Sequence, residues 1–313
     1  MAFNTPILLV IFNRPDTTQR VFNRIREIQP KQLFISADGA RPHKAGEKEK
    51  CQATRAIIEQ VDWVCEVKTL FRSENLGCRM AVSGGINWFF EQVEEGIILE
   101  DDCLPDLTFF RFCEELLQRY KEDERIYQIG GSNLIQAQFA TTQESYLFSN
   151  FSLIWGWATW RRAWQQMNVH MPDLEKFKIS KKIRDFVPDR TAQQYILQKF
   201  DDTYHKRNNS WAYAWIFTVL NQNGLTIIPT KNLIHNIGFG ADATNTTSTK
   251  ETHSQLPASP ITFPLVHPTS IEKHDKKVAM EFFYASQKPK LLLWVNKVVP
   301  QFLLQFYRKK IKK

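Results

Sequence analysis

The sequence predicts an α/β fold in which a mostly parallel sheet is covered by helices on both sides. Three observations predict it. Short apolar runs recur at residues 6–12 (PILLVIF), 33–37 (LFISA), 65–71 and 97–100 (IILE). Stretches of helical length separate them, at 16–28, 47–60 and 79–95. The runs also read as too hydrophobic to leave a face to water, which is the pattern of strands buried on both faces. Such a regular βαβ alternation joins strands through crossover helices and makes them parallel.

Taken in order, the first strand ends in the turn Asn13-Arg14-Pro15-Asp16, which opens the first helix. A polar loop from Asp38 to Gly46 follows the second strand, and Arg72-Ser73-Glu74-Asn75-Leu76-Gly77 follows the third. The fourth ends in Glu100-Asp101-Asp102. In open parallel sheets ligands bind beyond the carboxyl ends of the strands, so these polar clusters are the candidate site. Beyond residue 105 the pattern changes. Residues 106–120 form an amphipathic helix, with Phe109, Phe112, Cys113, Leu116, Leu117 and Tyr120 on one stripe. A short strand near 126–129 leads into Gly130-Gly131-Ser132-Asn133, then a Trp-rich segment from Trp155 to Trp164 and a polar helical region to about 206. Residues 241–260 are rich in Thr, Ser and Asn without periodicity and read as a mobile loop. We divide the chain at 1–105, 106–260 and 261–313, the last an extended segment with a basic amphipathic tail.

With 313 residues, 43% of them hydrophobic, the chain can bury a sizeable core. Cys51, Cys65, Cys78, Cys103 and Cys113 form no CxxC pair, which fits a reducing compartment. The first apolar run is too short for a signal segment or a membrane span, and a cytoplasmic chain is expected. The net charge of +8 is concentrated in the tail, where residues 286–313 hold eight Lys or Arg and no acid. The body is therefore neutral, which disfavours a nucleic-acid-binding face. Leu291 to Val299 and Phe302 to Tyr307, flanked by those lysines, predict peripheral contact with an anionic membrane, or else a helix docked on the body. No glycine-rich turn follows the first strand and no GxxxxGK[ST] is present, which excludes the usual dinucleotide-binding and P-loop solutions.

Three consecutive carboxylates beside a buried strand are costly without a positive partner. A divalent cation supplies one: in an extended backbone Glu100 and Asp102 share a face, so one carboxylate can hold a hard metal while a neighbour takes a donor hydroxyl. The alternative is that Asp102 and Asp106 cap the helix begun around Pro105. Trp155, Trp157, Trp160 and Trp164 suit stacking on sugar rings, but Trp157, Trp160 and Trp164 also recur at i, i+3 and i+7, as in a packed helical stripe.

The stretch IILEDDCLPDLTFFRFCEELL resembles the metal-binding segment of the N-acetylglucosaminyltransferase I family, nucleotide-sugar glycosyltransferases of the GT-A fold, and of related bacterial transferases. PILLVIFNRP with SADG, QIGGSN, SNFSLIWGWATWRRAW and NLIHNIGFG are similar to further segments of that family, in order across residues 5–245. The resemblance implies Mn2+ or Mg2+ on Asp102, with Glu100 or Asp101 on the donor ribose or sugar. Asp38 would accept from the nucleotide base, or else stand with Gly39 in an ordinary turn, and Arg14 would lie near the nucleotide, with Arg72, Asn75 and Arg79 on the donor side or else in a solvated loop and helix start. Asn133, Trp155 and Trp157 would face the acceptor. His235 would complete the metal shell or serve as a hydrogen-bonded structural histidine. The implied reaction moves a sugar, GlcNAc among the candidates, from a UDP-sugar to a saccharide acceptor with inversion, in bacterial surface-glycan biosynthesis. A non-catalytic nucleotide-sugar or glycan-binding protein on the same fold is the alternative. Matching the family's tryptophan with Trp215 places Ala214 at its general-base position. The base is then expected from Asp242, on a lid hinged at Gly238-Phe239-Gly240, or from Asp202.

Overall fold

Each of the four apolar runs becomes a strand. The computed structural model describes residues 3–139, 141–238 and 256–274. In it β1 (Ile7–Ile11), β2 (Gln32–Ala37), β3 (Glu66–Phe71) and β4 (Glu95–Glu100) pair in parallel in the order β3-β2-β1-β4. The crossovers are α1 (Pro15–Ile28), with Pro15 in its first turn where no amide partner is lost, α2 (Glu47–Ala56) and α3 (Gly77–Phe90).

The strands alternate sides as the pleat requires. Leu9, Ile11, Ile35 and Leu99 pack with Phe22 and Ile25 of α1, while Leu8, Phe34 and Ile98 pack with Ile86 and Phe89 of α3. One expectation fails. The outer strand β3 pairs only with β2, and Glu66, Val67, Thr69 and Phe71 are exposed on its two faces. A strand at the end of a sheet has one neighbour and is left partly uncovered, and the charges on Glu66 and Lys68 blunt that edge.

After β4 the chain makes β5 (Cys103–Pro105) and α4 (Leu107–Arg119), whose apolar stripe is buried as its periodicity predicts. Asp106 is the N-cap, accepting from the Thr108 amide at 2.9 Å; Asp102 takes no part in the cap. The second half adds β6 (Ile126–Gly130), β7 (Tyr146–Ser149), β8 (Trp157–Trp160), α5 (Arg161–Trp164), α6 (Leu174–Ser180), α7 (Ile183–Phe186), α8 (Arg190–Tyr204), α9 (Ala212–Asn221), β9 (Leu225–Pro229) and β10 (Ile234–Asn236). Strand β8 lies antiparallel between β4 and β6, and β9 and β7 complete an eight-stranded sheet that runs across the division at residue 105. A separate antiparallel pair joins β10 to β5.

The Trp-rich segment is therefore a strand over 157–160 and a short helix over 161–164, not one helical stripe. Trp157 and Trp160 fall on opposite faces of the sheet, because a spacing of three reverses side in a strand. Trp157, Trp164, Trp211 and Trp215 pack together, with ring centroids 5.3 to 6.3 Å apart in the closest pairs. Residues 256–274 run over the far side, burying Ile261 and Leu265 against the α4 core. The five cysteines are free, and among the described residues no helix is long and apolar enough to cross a membrane.

Candidate functional site

A cavity of about 400 Å3 opens at the carboxyl ends of β1, β2 and β4. Its floor is Val10 and Ile11, and the loops after the three strands supply Phe12 and Arg14, Asp38 and Arg41, and Glu100, Asp101 and Asp102. Ile154, Trp155, Asn209, Ser210, Trp211 and Ala212 form the opposite wall, with Asn236 and Gly238 closing it from β10.

The backbone does not stay extended through the acidic triplet. Strand β4 ends at Glu100, and Asp101 and Asp102 lie in a turn. Arg14 reaches across from the β1 loop, hydrogen-bonding Asp101 through Nε and Nη2 and Asp102 Oδ2 through Nη2 at 3.0 Å. Asp101 is buried, whereas the Asp102 side chain keeps 18% of its surface. The Asp102 carbonyl accepts from the Ile237 amide at 2.8 Å, and a Cβ added to Gly238 would fall 2.1 Å from Asp102 Oδ2. Glycine at 238 is thus what lets the β10 chain close on the carboxylate.

Burial, reinforced by Asp102 and Asp101, pushes the Glu100 carboxyl up to about 8, against partial relief from Arg14 and from a hydrogen bond with Trp211. Burial likewise raises Asp101 to about 6, with Arg14 opposing. Because Glu100 titrates higher folded than its ordinary 4.5, the folded state retains a proton that the unfolded chain has released. Stability conferred by that proton is full below 4.5 and is lost as pH rises toward 8. His267, lowered from 6.5 by burial, acts in the opposite sense only below about that value. Metal-free protein is therefore expected to melt at a lower temperature at pH 8 than at pH 6.5, and Glu100→Gln to flatten the difference. A melting temperature that rises over this interval in wild type would contradict the burial assigned to Glu100.

Asp38 lines the cavity, yet its carboxylate is taken up within the chain. It accepts from the amides of Gly39 at 3.0 Å, Leu76 at 3.0 Å and Gly77 at 2.9 Å, and from Asn75 Nδ2 at 3.0 Å. A carboxylate offers about four acceptor positions, so Asp38 clamps the loop that starts α3. Asn75 lies on the cavity wall, with Nδ2 also donating to the Gly39 carbonyl at 2.7 Å. Arg72 stays behind the wall, donating to Ser36 Oγ at 3.2 Å.

Several expected site residues lie elsewhere. Arg79 is buried, donating to the carbonyls of Thr203 (2.7 Å) and Val169, and burial lowers its pKa; it ties α3 to the α8 side. Asn133 is buried and bonds the Pro229 carbonyl at 2.7 Å and the Ile135 amide at 2.8 Å. Trp157 is enclosed by the other indoles, and only Trp155 of the two lines the cavity. His235 is half-buried opposite Leu104 in the β5–β10 pair and does not line the cavity, whereas its neighbour Asn236 does. Asp202 pairs with Arg207 Nε at 2.8 Å away from the cavity, and that hydrogen bond lowers its pKa. Trp215 is core, donating to Gln128 Oε1 at 2.5 Å, and Ala214 is buried beside it. Of Trp211 and Trp215 it is Trp211, preceded by Ser210, that lines the cavity. Asp242, the turn at 239–240 and the basic tail lie outside the described residues.

Residues that the sequence did not single out complete the walls. Asn209 and Trp211, at the start of α9, and Asn236, at the end of β10, come from segments whose meeting point depends on the tertiary fold. Arg41 stands in the Asp38-Gly39-Ala40-Arg41 cluster, the one signal available for it. Its Nε bonds Glu47 Oε2 at 2.9 Å, and Asn13 Nδ2 bonds Glu47 Oε1 at 2.9 Å. Among the described residues no three His, Cys, Asp or Glu side chains gather as a group able to hold a metal.

No protein-family model matches the chain, and no curated protein does. Solved structures give distant likenesses. HddC from Yersinia pseudotuberculosis is 12% identical with a TM-score of 0.28, over 40% of this chain and 56% of that one. Apo mouse xyloside xylosyltransferase 1 is 11% identical with a TM-score of 0.34, over 70% of this chain and 82% of that one. The 4-diphosphocytidyl-2C-methyl-D-erythritol synthase of Anaerococcus prevotii is 7% identical with a TM-score of 0.33, over 56% and 84%. At these values none bears on the reaction.

Proposed function

We propose that the chain is a metal-dependent glycosyltransferase of the GT-A type, taking a sugar from a nucleotide-diphosphate donor, UDP-linked in the first instance, to a saccharide acceptor. One observation carries the reading: four carboxylates and two guanidinium groups line a cavity at the carboxyl edge of a parallel sheet. That excess of negative charge would repel a diphosphate unless a divalent cation entered with it.

The donor set fits such a cation in one specific way. Asp101 is committed to Arg14, Asp38 to backbone amides, and no three-ligand cage exists among the described residues. Asp102 remains, its Oδ1 hydrogen-bonded among the described residues only by Cys103 Sγ, at 3.5 Å. One carboxylate suffices for Mg2+ or Mn2+ when substrate phosphates complete the shell. Asp102 would hold the ion, whose contribution when bound is to neutralise charge on the departing diphosphate. Arg14 fixes the acidic turn and adds a second positive group beside the phosphates. Glu100, protonated at neutral pH in the absence of cation, can donate to a sugar or ribose hydroxyl. Trp155 offers an indole to an acceptor ring.

A second reading, nucleotide-sugar binding without transfer, is favoured by a specific observation. Among the described residues every acid in the cavity belongs to the donor side, and Ser210 precedes Trp211 where a carboxylate would serve as base. A panel of nucleotide sugars with Mn2+, scored for nucleoside-diphosphate release and for thermal stabilisation, separates the readings. A transferase stabilised by its donor should also release diphosphate slowly. Saturation near a hundred times Kd should add about 2.7 kcal/mol. Stabilisation without release, in the presence of varied saccharides, selects the binding protein. No stabilisation by any nucleotide sugar would sink both.

A further inference from the structure

The geometry points to Arg41, held by Glu47 against Phe12, as the residue that reads the nucleobase and selects bases with a carbonyl oxygen at the edge position where cytosine and adenine carry an amino group. The inference rests on the donor-binding reading and deepens it.

Position assigns the region. Strands β2 and β4 flank β1 on either side, so the loop after β2 lies about 10 Å from the acidic turn after β4, two strand spacings away. That is the order of the separation between the diphosphate and the base of an extended nucleotide. With the phosphates drawn to Asp102 and Arg14, the base falls against Phe12, Arg41 and Asn75.

Chemistry assigns the role. The Arg41 guanidinium lies over the Phe12 ring, 5.6 Å from its centroid. Nε and Nη2 are anchored on the Glu47 carboxylate at 2.9 and 2.5 Å, and the Arg41 amide donates to the same carboxylate at 2.7 Å. Glu47 is 5% exposed and also accepts from Asn13, so it ties the β1 loop to the β2 loop and fixes the guanidinium plane. Nη1 has no hydrogen-bond partner among the described residues. A guanidinium donates and never accepts, which makes it complementary to O4 of uracil or O6 of guanine and mismatched with the amino groups of cytosine or adenine. Asp38 would ordinarily read a base N–H, but its acceptor positions are occupied by the Gly39, Leu76 and Gly77 amides and by Asn75. Arg41 is thus a specificity residue, and Glu47 is its positioning residue.

The test is titration of the full chain with UDP, CDP, GDP and ADP in the presence of Mn2+. UDP and CDP differ at the base in the C4 group, where Arg41 is assigned, and in the proton on the adjoining N3, so the Arg41 variants isolate the first of these. Wild type should bind UDP at least about tenfold tighter than CDP. Whether GDP joins UDP or falls with ADP distinguishes a carbonyl reader open to purines from one closed to them. Arg41→Ala should bring the UDP to CDP ratio close to one, and Arg41→Lys, which keeps charge without the anchored fork, should leave it intermediate. Glu47→Gln should narrow the ratio while UDP still binds, an effect that lost packing alone would not produce. A ratio near one in wild type, or a ratio unmoved by Arg41→Ala, overturns the inference and leaves the donor site standing. Failure of wild type to bind any nucleotide overturns the donor site as well.

Discussion

Asp102→Asn is expected to weaken Mn2+-dependent nucleotide-diphosphate binding about a hundredfold or more while the protein stays folded. Outer-shell changes at metal sites already cost 10- to 100-fold, and this change removes the proposed ligand itself. Asparagine keeps the shape of the side chain and an oxygen that can still accept from Arg14 Nη2, so the contact with Gly238 should persist. The fold should accordingly melt within a few degrees of wild type. Titration of UDP with and without Mn2+ reads the effect; equal affinities in wild type and variant would remove Asp102 from the metal's shell.

Arg14→Met should have the largest effect on stability. Asp101 is almost fully enclosed, and among the described residues Arg14 is its one cationic partner. Stripping the partner from a buried pair costs about 3–5 kcal/mol, because the remaining charge is neither solvated nor neutralised. Asp101 already titrates near 6, and without Arg14 its folded value must climb further. The destabilisation should therefore be smaller at pH 5, where the carboxyl can hold a proton, and grow toward pH 8. Denaturant unfolding at the two pH values measures it, and adding Asp101→Asn to Arg14→Met should recover most of the loss. A single variant as stable as wild type at pH 8 would show that Asp101 finds water despite its burial.

The succession of strands and helices in the first hundred residues was legible because it is written locally. Apolar runs of strand length alternate with helical stretches, and the clusters after β1, β2 and β4 did converge on one cavity. Which members of each cluster face inward was not legible. Arg79 follows the third loop as plausibly as Asn75, yet its partners are carbonyls at 169 and 203, far along the chain. Asp38 looked like a free acceptor because nothing local announces that three amides will fold onto it. Trp157 and Trp160 are three apart, a spacing that suits a helix, and only pairing with β4 and β6 makes the segment a strand. Equating Trp215 with a site tryptophan failed for a related reason. Trp211 and Trp215 stand one helical turn apart on the same face, and the first, capping the N-terminus of α9, reaches the cavity while the second lies deeper in the core.

The four clustered indoles give the molecule an optical handle. Trp157 and Trp211 stack at 5.8 Å with their planes 22° apart, close enough for their electronic transitions to couple. Trp211 is the member that also lines the cavity, and its ring nitrogen is bonded to Glu100. A change of charge or of occupancy at the acidic turn is therefore carried directly into a chromophore shared by four side chains. Near-ultraviolet dichroism and intrinsic emission would follow events at the site without a label, with Trp155 on the cavity wall adding its own response.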